Sequence, residues 1–229
     1  MDKVFYFSGS GKSRRFAEYI GKQISAPVFD ITKIHSDDIF CADTAVLIFP
    51  VYCQNLPEPI KEFLPNLKAK YIAIGALYGR KSYGNVIEDA VKLTDSVFIG
   101  GVCVPCGHSF LGEPDDFDFD TVSPFILRIK ENTEAKTEKG KKDFYADLIP
   151  AKRTRIGVKI KRNDSCINCK KCSNNCPMNA IENGKINKNC IRCLRCVSEC
   201  PEKALEYKTL WFMKIYLKNG RRNNIKFYL

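Results

Sequence analysis

Eight of the twelve cysteines in this 229-residue chain fall between positions 166 and 200. Cys166, Cys169, Cys172 and Cys176 run up to Pro177, and Cys190, Cys193, Cys196 and Cys200 run up to Pro201. Both halves read C-x2-C-x2-C-x3-C-P, at an offset of 24. Ile167, Ala180 and Ile181 recur as Ile191, Ala204 and Leu205, so the stretch is a duplication of one small unit. Three cysteines at every third residue curl a tight loop around one side of a cube. A cubane [4Fe-4S] cluster asks thiolates for that arrangement, with a fourth ligand from elsewhere in the chain. Zinc modules pair C-x2-C units across a longer loop and need neither the third cysteine nor the proline. A disulfide scaffold is expected in secreted chains, and the opening residues do not read as a signal segment.

A second stretch with chemical content is Ser8-Gly9-Ser10-Gly11-Lys12-Ser13. It sits between an apolar run (residues 3–7) and a helical pattern in which Phe16, Ile20 and Ile24 share a face. Strand, small-residue loop and helix start make an anion site, because backbone N–H groups and hydroxyls converge at the positive end of the helix dipole. A nucleotide P-loop would need glycine where Tyr6 stands, and the loop is too short for a dinucleotide G-x-G-x-x-G.

The elements that must position these groups alternate. Strands are expected at 27–31, 45–49, 71–77 and 97–104, with helices near 60–64 and 86–93 between them. That alternation implies an α/β parallel sheet with helices on both faces. A further helix is expected from Ser123 to about Lys139, stopped by Gly140, then a basic connector over 149–163. The domain boundary is placed near Pro150.

With these residues in place, two resemblances can be stated. The loop resembles the flavodoxin phosphate loop, T/S-x-T/S-G-x-T/S, with Ser8, Ser10, Gly11 and Ser13 matching and Lys12 where asparagine is usual. The resemblance covers about residues 1–148 and implies a flavodoxin-like, doubly wound five-stranded sheet of order 2-1-3-4-5, with FMN at the carboxyl ends of the strands. It also implies a phosphate site at Ser8, Gly9, Ser10, Gly11, Lys12 and Ser13. The flavin ring would lie between Pro50, Val51, Tyr52, Cys53, Gln54 and Asn55 and a second loop carrying Tyr78, Gly79, Ser82, Tyr83, Gly84 and Asn85. Tyr52 or Tyr83 would stack on it, unless either is an edge aromatic of the core. The cysteine stretch resembles the bacterial two-[4Fe-4S] ferredoxin, a small α+β domain assigned here to 151–229. Carried over, one cluster takes Cys166, Cys169, Cys172 and Cys200, and the other takes Cys190, Cys193, Cys196 and Cys176.

Other groups have open readings. His108 faces a flavin or substrate, or is a satisfied loop histidine. Cys103 and Cys106 are a redox pair or two buried thiols. The acidic loop 112–120 docks or gates a partner, or is merely solvated. In residues 209–229, apolar positions mix with lysines and arginines: a membrane-surface or docking element, or an apolar face packed across both domains with wet lysines.

Charge is divided. Residues 1–123 hold 12 Lys/Arg against 16 Asp/Glu, and residues 124–229 hold 25 against 10. Ligated thiolates lower the C-terminal excess to roughly +11, because two clusters each carry about −2. That excess suits a redox partner with an acidic surface; no nucleic-acid motif accompanies it. No run of 18 apolar residues spans a membrane, and the cysteine usage fits a reducing, oxygen-poor cytoplasm. Three function classes follow: a carrier passing electrons between clusters and FMN, a flavin-dependent reductase of a small organic substrate, and a regulatory iron–sulfur module.

Overall fold

The computed structural model describes residues 1–34, 40–114, 116–148, 150–182 and 184–229. Asp115, part of the acidic loop, therefore lies outside the described residues. The first unit runs β1 (Lys3–Tyr6), α1 (Lys12–Ile24), β2 (Val28–Asp30), β3 (Cys41–Pro50), α2 (Glu58–Phe63), β4 (Lys68–Tyr78), α3 (Val86–Val91), β5 (Val97–Pro105) and α4 (Ser123–Glu131). Its five parallel strands stand in the order 2-1-3-4-5, the flavodoxin-like order.

Ala45–Phe49 is wholly buried, as a central strand covered on both faces requires. Alternate residues feed two cores. Phe5, Leu47 and Phe49 pack on one face with Ile60 and Leu64; Val4, Val46 and Ile48 pack on the other with Phe16, Ile20 and Phe125.

The second unit runs α5 (Pro150–Gly157), β6 (Val158–Arg162), α6 (Lys171–Asn174), β7 (Ile181–Glu182), β8 (Lys185–Ile186), α7 (Arg195–Ser198) and β9 (Leu205–Thr209). β6 and β9 form one antiparallel ladder, β7 and β8 a hairpin. The 24-residue repeat reappears in the backbone. Asn168 and Arg192 (φ 55° and 59°), Lys170 and Leu194 (59° and 65°), and Asn179 and Lys203 (45° and 49°) are all left-handed. Non-glycine residues enter that region rarely, so three matched pairs mark loops bent to a common demand.

Three elements differ from the sequence reading. The helix expected to reach Lys139 ends at Glu131, because Asn132 turns left-handed (φ 51°) and Ala135 then donates its N–H to Phe98 O at 2.8 Å. Part of the basic connector is helical, as α5. The C-terminal stretch forms α8 (Trp211–Lys218) and β10 (Lys226–Tyr228). β10 pairs antiparallel with β5, so the sheet gains a sixth strand and the tail of the second unit returns to the first. It covers what would otherwise be an open sheet edge.

Candidate functional site

β1 hands over to α1 through Ser8–Gly11. Gly11 has φ 90°, a conformation that glycine adopts without strain, and its N–H donates to Ser8 Oγ at 3.1 Å. Ser13 is buried, and Ser10 Oγ lies 2.9 Å from Ser109 Oγ in the loop after β5. Lys12 does not hold its ammonium in the loop. It donates to the carbonyls of Gly107, Glu113 (3.0 Å) and Pro114 (3.4 Å), fastening α1 to the loop after β5.

After β3, Tyr52 and Asn55 exchange backbone hydrogen bonds of 3.0 and 2.9 Å around Cys53 and Gln54, both left-handed. Gln54 holds this turn in place. Its Nε2 donates to Asp143 Oδ2 at 2.6 Å, and its Oε1 accepts from Asp143 N at 3.0 Å and Ser82 Oγ at 3.3 Å. The Tyr52 hydroxyl is wrapped by the phosphate loop and the Cys193 segment, and burial first, then Cys193, raises its pKa well above the ordinary value. Its ring keeps partial access to the space beyond.

That space is a cavity of about 810 Å³ at the carboxyl ends of the strands, the position where such sheets bind ligands. Of the residues expected to hold a flavin, Ser8, Gly9, Ser10, Lys12 and Ser13 line it. So do Pro50, Val51, Tyr52, Cys53, Gln54 and Asn55, together with Gly79 and Ser82. Gly11, Tyr78, Tyr83, Gly84 and Asn85 do not. Tyr78 is buried, and its hydroxyl donates to Asn224 O at 2.7 Å. Tyr83 meets the Tyr78 ring edge-on at 5.3 Å, which corrects the expectation that it could stack in the site; Tyr52 is the tyrosine that borders it. Gly84 (φ 61°) packs on Gln54, and a Cβ there would collide with its carbonyl.

The loop after β5 supplies Cys106, Gly107, His108, Ser109 and Phe110 to the same wall. His108 Nδ1 accepts from Phe110 N at 3.2 Å, so the proton of the neutral ring sits on Nε2. Burial pulls its pKa down to about 4, against the opposing pull of Glu113. Cys103 and Cys106 belong to cores on opposite faces of the sheet, which removes the geometry of a redox pair. α8 completes the cavity with Phe212, Met213, Tyr216 and Leu217, a role that no local pattern in residues 209–229 signals.

In the second unit, Cys176 of the first motif half joins Cys190, Cys193 and Cys196 of the second around one small cavity, roofed by Ile160, Met178 and Leu194. The resemblance to two-[4Fe-4S] ferredoxins assigns these four to one cluster, and soft thiolates in apolar surroundings suit an iron–sulfur cubane. Burial, and for Cys196 its cysteine neighbours, push the thiols of Cys193 and Cys196 up to about 11 and about 12. Iron would displace those protons. The repeat also fixes two matched bonds to sulfur: Ala180 N to Cys176 Sγ and Ala204 N to Cys200 Sγ, both 3.2 Å. Cys166, Cys172 and Cys200 are half-buried and Cys169 is exposed, so the second set faces solvent more than the first.

The two units meet at the phosphate loop. Arg195, buried on α7, donates through Nε and Nη2 to Ser8 O (3.0 and 2.7 Å), pairs with Asp30 at 3.3 Å, and lies over the Phe7 ring. A Cβ on Gly9 would collide with the Cys193 carbonyl and lie 2.7 Å from the Tyr52 hydroxyl, so only glycine admits the cluster loop here. Tyr207 and Thr209 of β9 donate to Ser109 O and Phe110 O, and Arg221 pairs with Glu113.

Residues 159–201 match the family described as "4Fe-4S dicluster domain". Solved structures similar to the chain include a flavodoxin of Streptococcus pneumoniae TIGR4 (15% identity, 58% of this chain and 99% of that one, TM-score 0.44). A short-chain flavodoxin associated with a non-canonical PDU bacterial microcompartment is also similar (17%, 57% and 97%, 0.45), as is a flavodoxin from the domain Archaea (18%, 57% and 97%, 0.41). None of the curated proteins compared matches the chain. The flavodoxin-like description rests on the strand order of this chain's own sheet. The chain is a flavodoxin-like domain followed by a 4Fe-4S dicluster ferredoxin domain, a combination that suggests a redox role. Among the described residues, no helix is long and apolar enough to cross a membrane.

Proposed function

We propose that this protein passes electrons between two [4Fe-4S] clusters and a bound FMN, joining one-electron carriers to a one- or two-electron acceptor. One observation carries the reading: Cys193, one of the four thiols gathered around the small cavity, also lines the cavity at the strand ends. Bound FMN would supply a centre that takes up electrons singly or in pairs, whereas each cluster exchanges one.

The residues of the chain divide the remaining work. Ser8, Ser10 and Ser13 with the start of α1 present hydroxyls and N–H groups to a phosphate, and Tyr52 offers a ring face to the flavin. His108, neutral at pH 7, adds no charge to the ring environment. α8 and the loop after β5 wall one side of the cavity. Arg195 and Gly9 hold cluster loop and phosphate loop together, so exchange needs no diffusional encounter. A one-electron protein partner with an acidic surface would meet the more exposed set, where Cys169, Lys170 and Lys171 reach solvent.

A second reading, a flavin-dependent reductase of a small organic substrate, is favoured by the apolar side chains that α8 adds to the cavity. Phe212 and Tyr216 are 40% and 50% exposed, enough to admit a substrate beside a flavin. An anaerobic absorption spectrum with iron, sulfide and flavin analysis tests the cofactor set. The proposal requires eight irons, eight sulfides and one FMN per chain, and a preparation that takes up clusters but no flavin sinks it.

A further inference from the structure

Four cationic side chains line the cavity, and three of them are already engaged. Lys12 donates to the carbonyls of Gly107, Glu113 and Pro114. Lys61 lies 3.3 Å from Glu58. Lys81 donates to Asn219 O at 2.6 Å and lies over the Tyr216 ring. Arg192 differs. Its Nε donates to Val158 O at 2.9 Å, but its Nη1 is buried and has no partner among the described residues.

A buried guanidinium N–H without an acceptor is costly, and in native proteins such a group asks for an explanation such as a ligand. The placement narrows the ligand. Arg192 precedes Cys193, whose carbonyl packs on Gly9 in the phosphate loop. Its left-handed φ of 59° is set by the cluster-binding turn between Cys190 and Cys193. The cation nearest in sequence to the phosphate loop is thus used as a structural tie, while an unsatisfied one reaches the same cavity from the other domain.

We propose that Arg192, and not Lys12, is the cation that binds the FMN phosphate, donated across the domain junction from within a cluster-binding motif. This rests on the FMN reading above and adds to it the residue that discriminates FMN from unphosphorylated flavin. A planar fork of N–H donors suits phosphate oxygens, and charge-assisted bonds of this kind are stronger than neutral ones.

The test is a flavin-fluorescence titration of full-length, cluster-loaded, flavin-stripped protein with FMN and with riboflavin. Iron and sulfide are counted on each variant. Arg192→Gln should weaken FMN roughly 10- to 100-fold, the range for a hydrogen bond to a charged group, and riboflavin less than about threefold. Lys12→Gln should leave the ratio of the two affinities within about threefold. If Arg192→Gln cannot hold its clusters, Arg192→Lys keeps the charge without the fork and should still lose about 3- to 10-fold for FMN alone. Equal weakening of both flavins would make Arg192 a prop for the cluster loop and overturn the proposal. So would an unchanged FMN affinity. A wild-type protein that binds neither flavin would instead overturn the cofactor reading itself.

Discussion

Replacing Arg195 with methionine probes the junction on which the account depends. The side chain is 2% exposed and makes two hydrogen bonds to Ser8 O, an ion pair to Asp30 and a bond to Thr32 Oγ1. Methionine fills similar volume, so the loss is mainly electrostatic. Breaking a buried pair from one side costs roughly 3–5 kcal/mol, because the remaining charge is left uncompensated. Here Asp30 keeps bonds from Thr32 N and Oγ1 at 3.1 and 2.7 Å, so the low end, about 3 kcal/mol, is expected. Equilibrium urea unfolding under anaerobic conditions reads the change from midpoint and slope. Asp30→Asn and the double variant complete a cycle, in which a coupling above about 1 kcal/mol is expected for groups in direct contact. A loss below about 1 kcal/mol for Arg195→Met, with no coupling, would refute the view that this arginine fastens the domains.

Other outcomes follow from the same geometry. Cys176→Ala should lose the cluster of Cys190, Cys193 and Cys196; magnetic spectroscopy showing loss confined to the Cys166 set would break the crossed assignment. Gly9→Ala should push the Cys193 loop off the phosphate loop and slow cluster-to-flavin exchange; an unchanged rate would contradict the close approach. His108 has a folded pKa of about 4, below its ordinary 6.5, so the unfolded chain binds the proton more tightly. The stability it contributes is complete above pH 6.5 and is lost as pH falls towards 4, at most roughly 3 kcal/mol. The difference between wild type and His108→Gln across pH 7 to 4 should show that loss, and a flat difference would contradict the burial.

Local pattern revealed the parts of the molecule that local physics determines. The cluster cysteines are legible because ligand spacing is a local constraint, and the five parallel strands because continuous apolar runs such as Ala45–Phe49 have few other uses. The crossed assignment comes from the ferredoxin resemblance and not from the spacing itself. What escaped depends on distant partners. Lys12 looks like a phosphate ligand until Gly107 and Glu113 arrive from about a hundred residues away. Tyr83 carries no local sign that Tyr78 will take its ring. β10 is three residues long, with a charged residue at its start, and becomes a strand only because β5 presents an open edge. The apolar positions of α8 suggested packing across two domains, but not that they would face a cavity. Arg195, 187 residues from Ser8, had no signal beyond its basic charge.

The central claim is that clusters and flavin exchange electrons within one chain. Anaerobic stopped flow with a low-potential one-electron donor, following cluster and flavin bands separately, tests it most directly. The account predicts that the clusters are reduced first and that the flavin follows at a rate unchanged by tenfold dilution of the protein. In Cys176→Ala that fast phase should disappear. A flavin rate that falls in proportion to protein concentration, or that survives loss of the Cys190–Cys193–Cys196 cluster, would mean that the two domains serve separate partners.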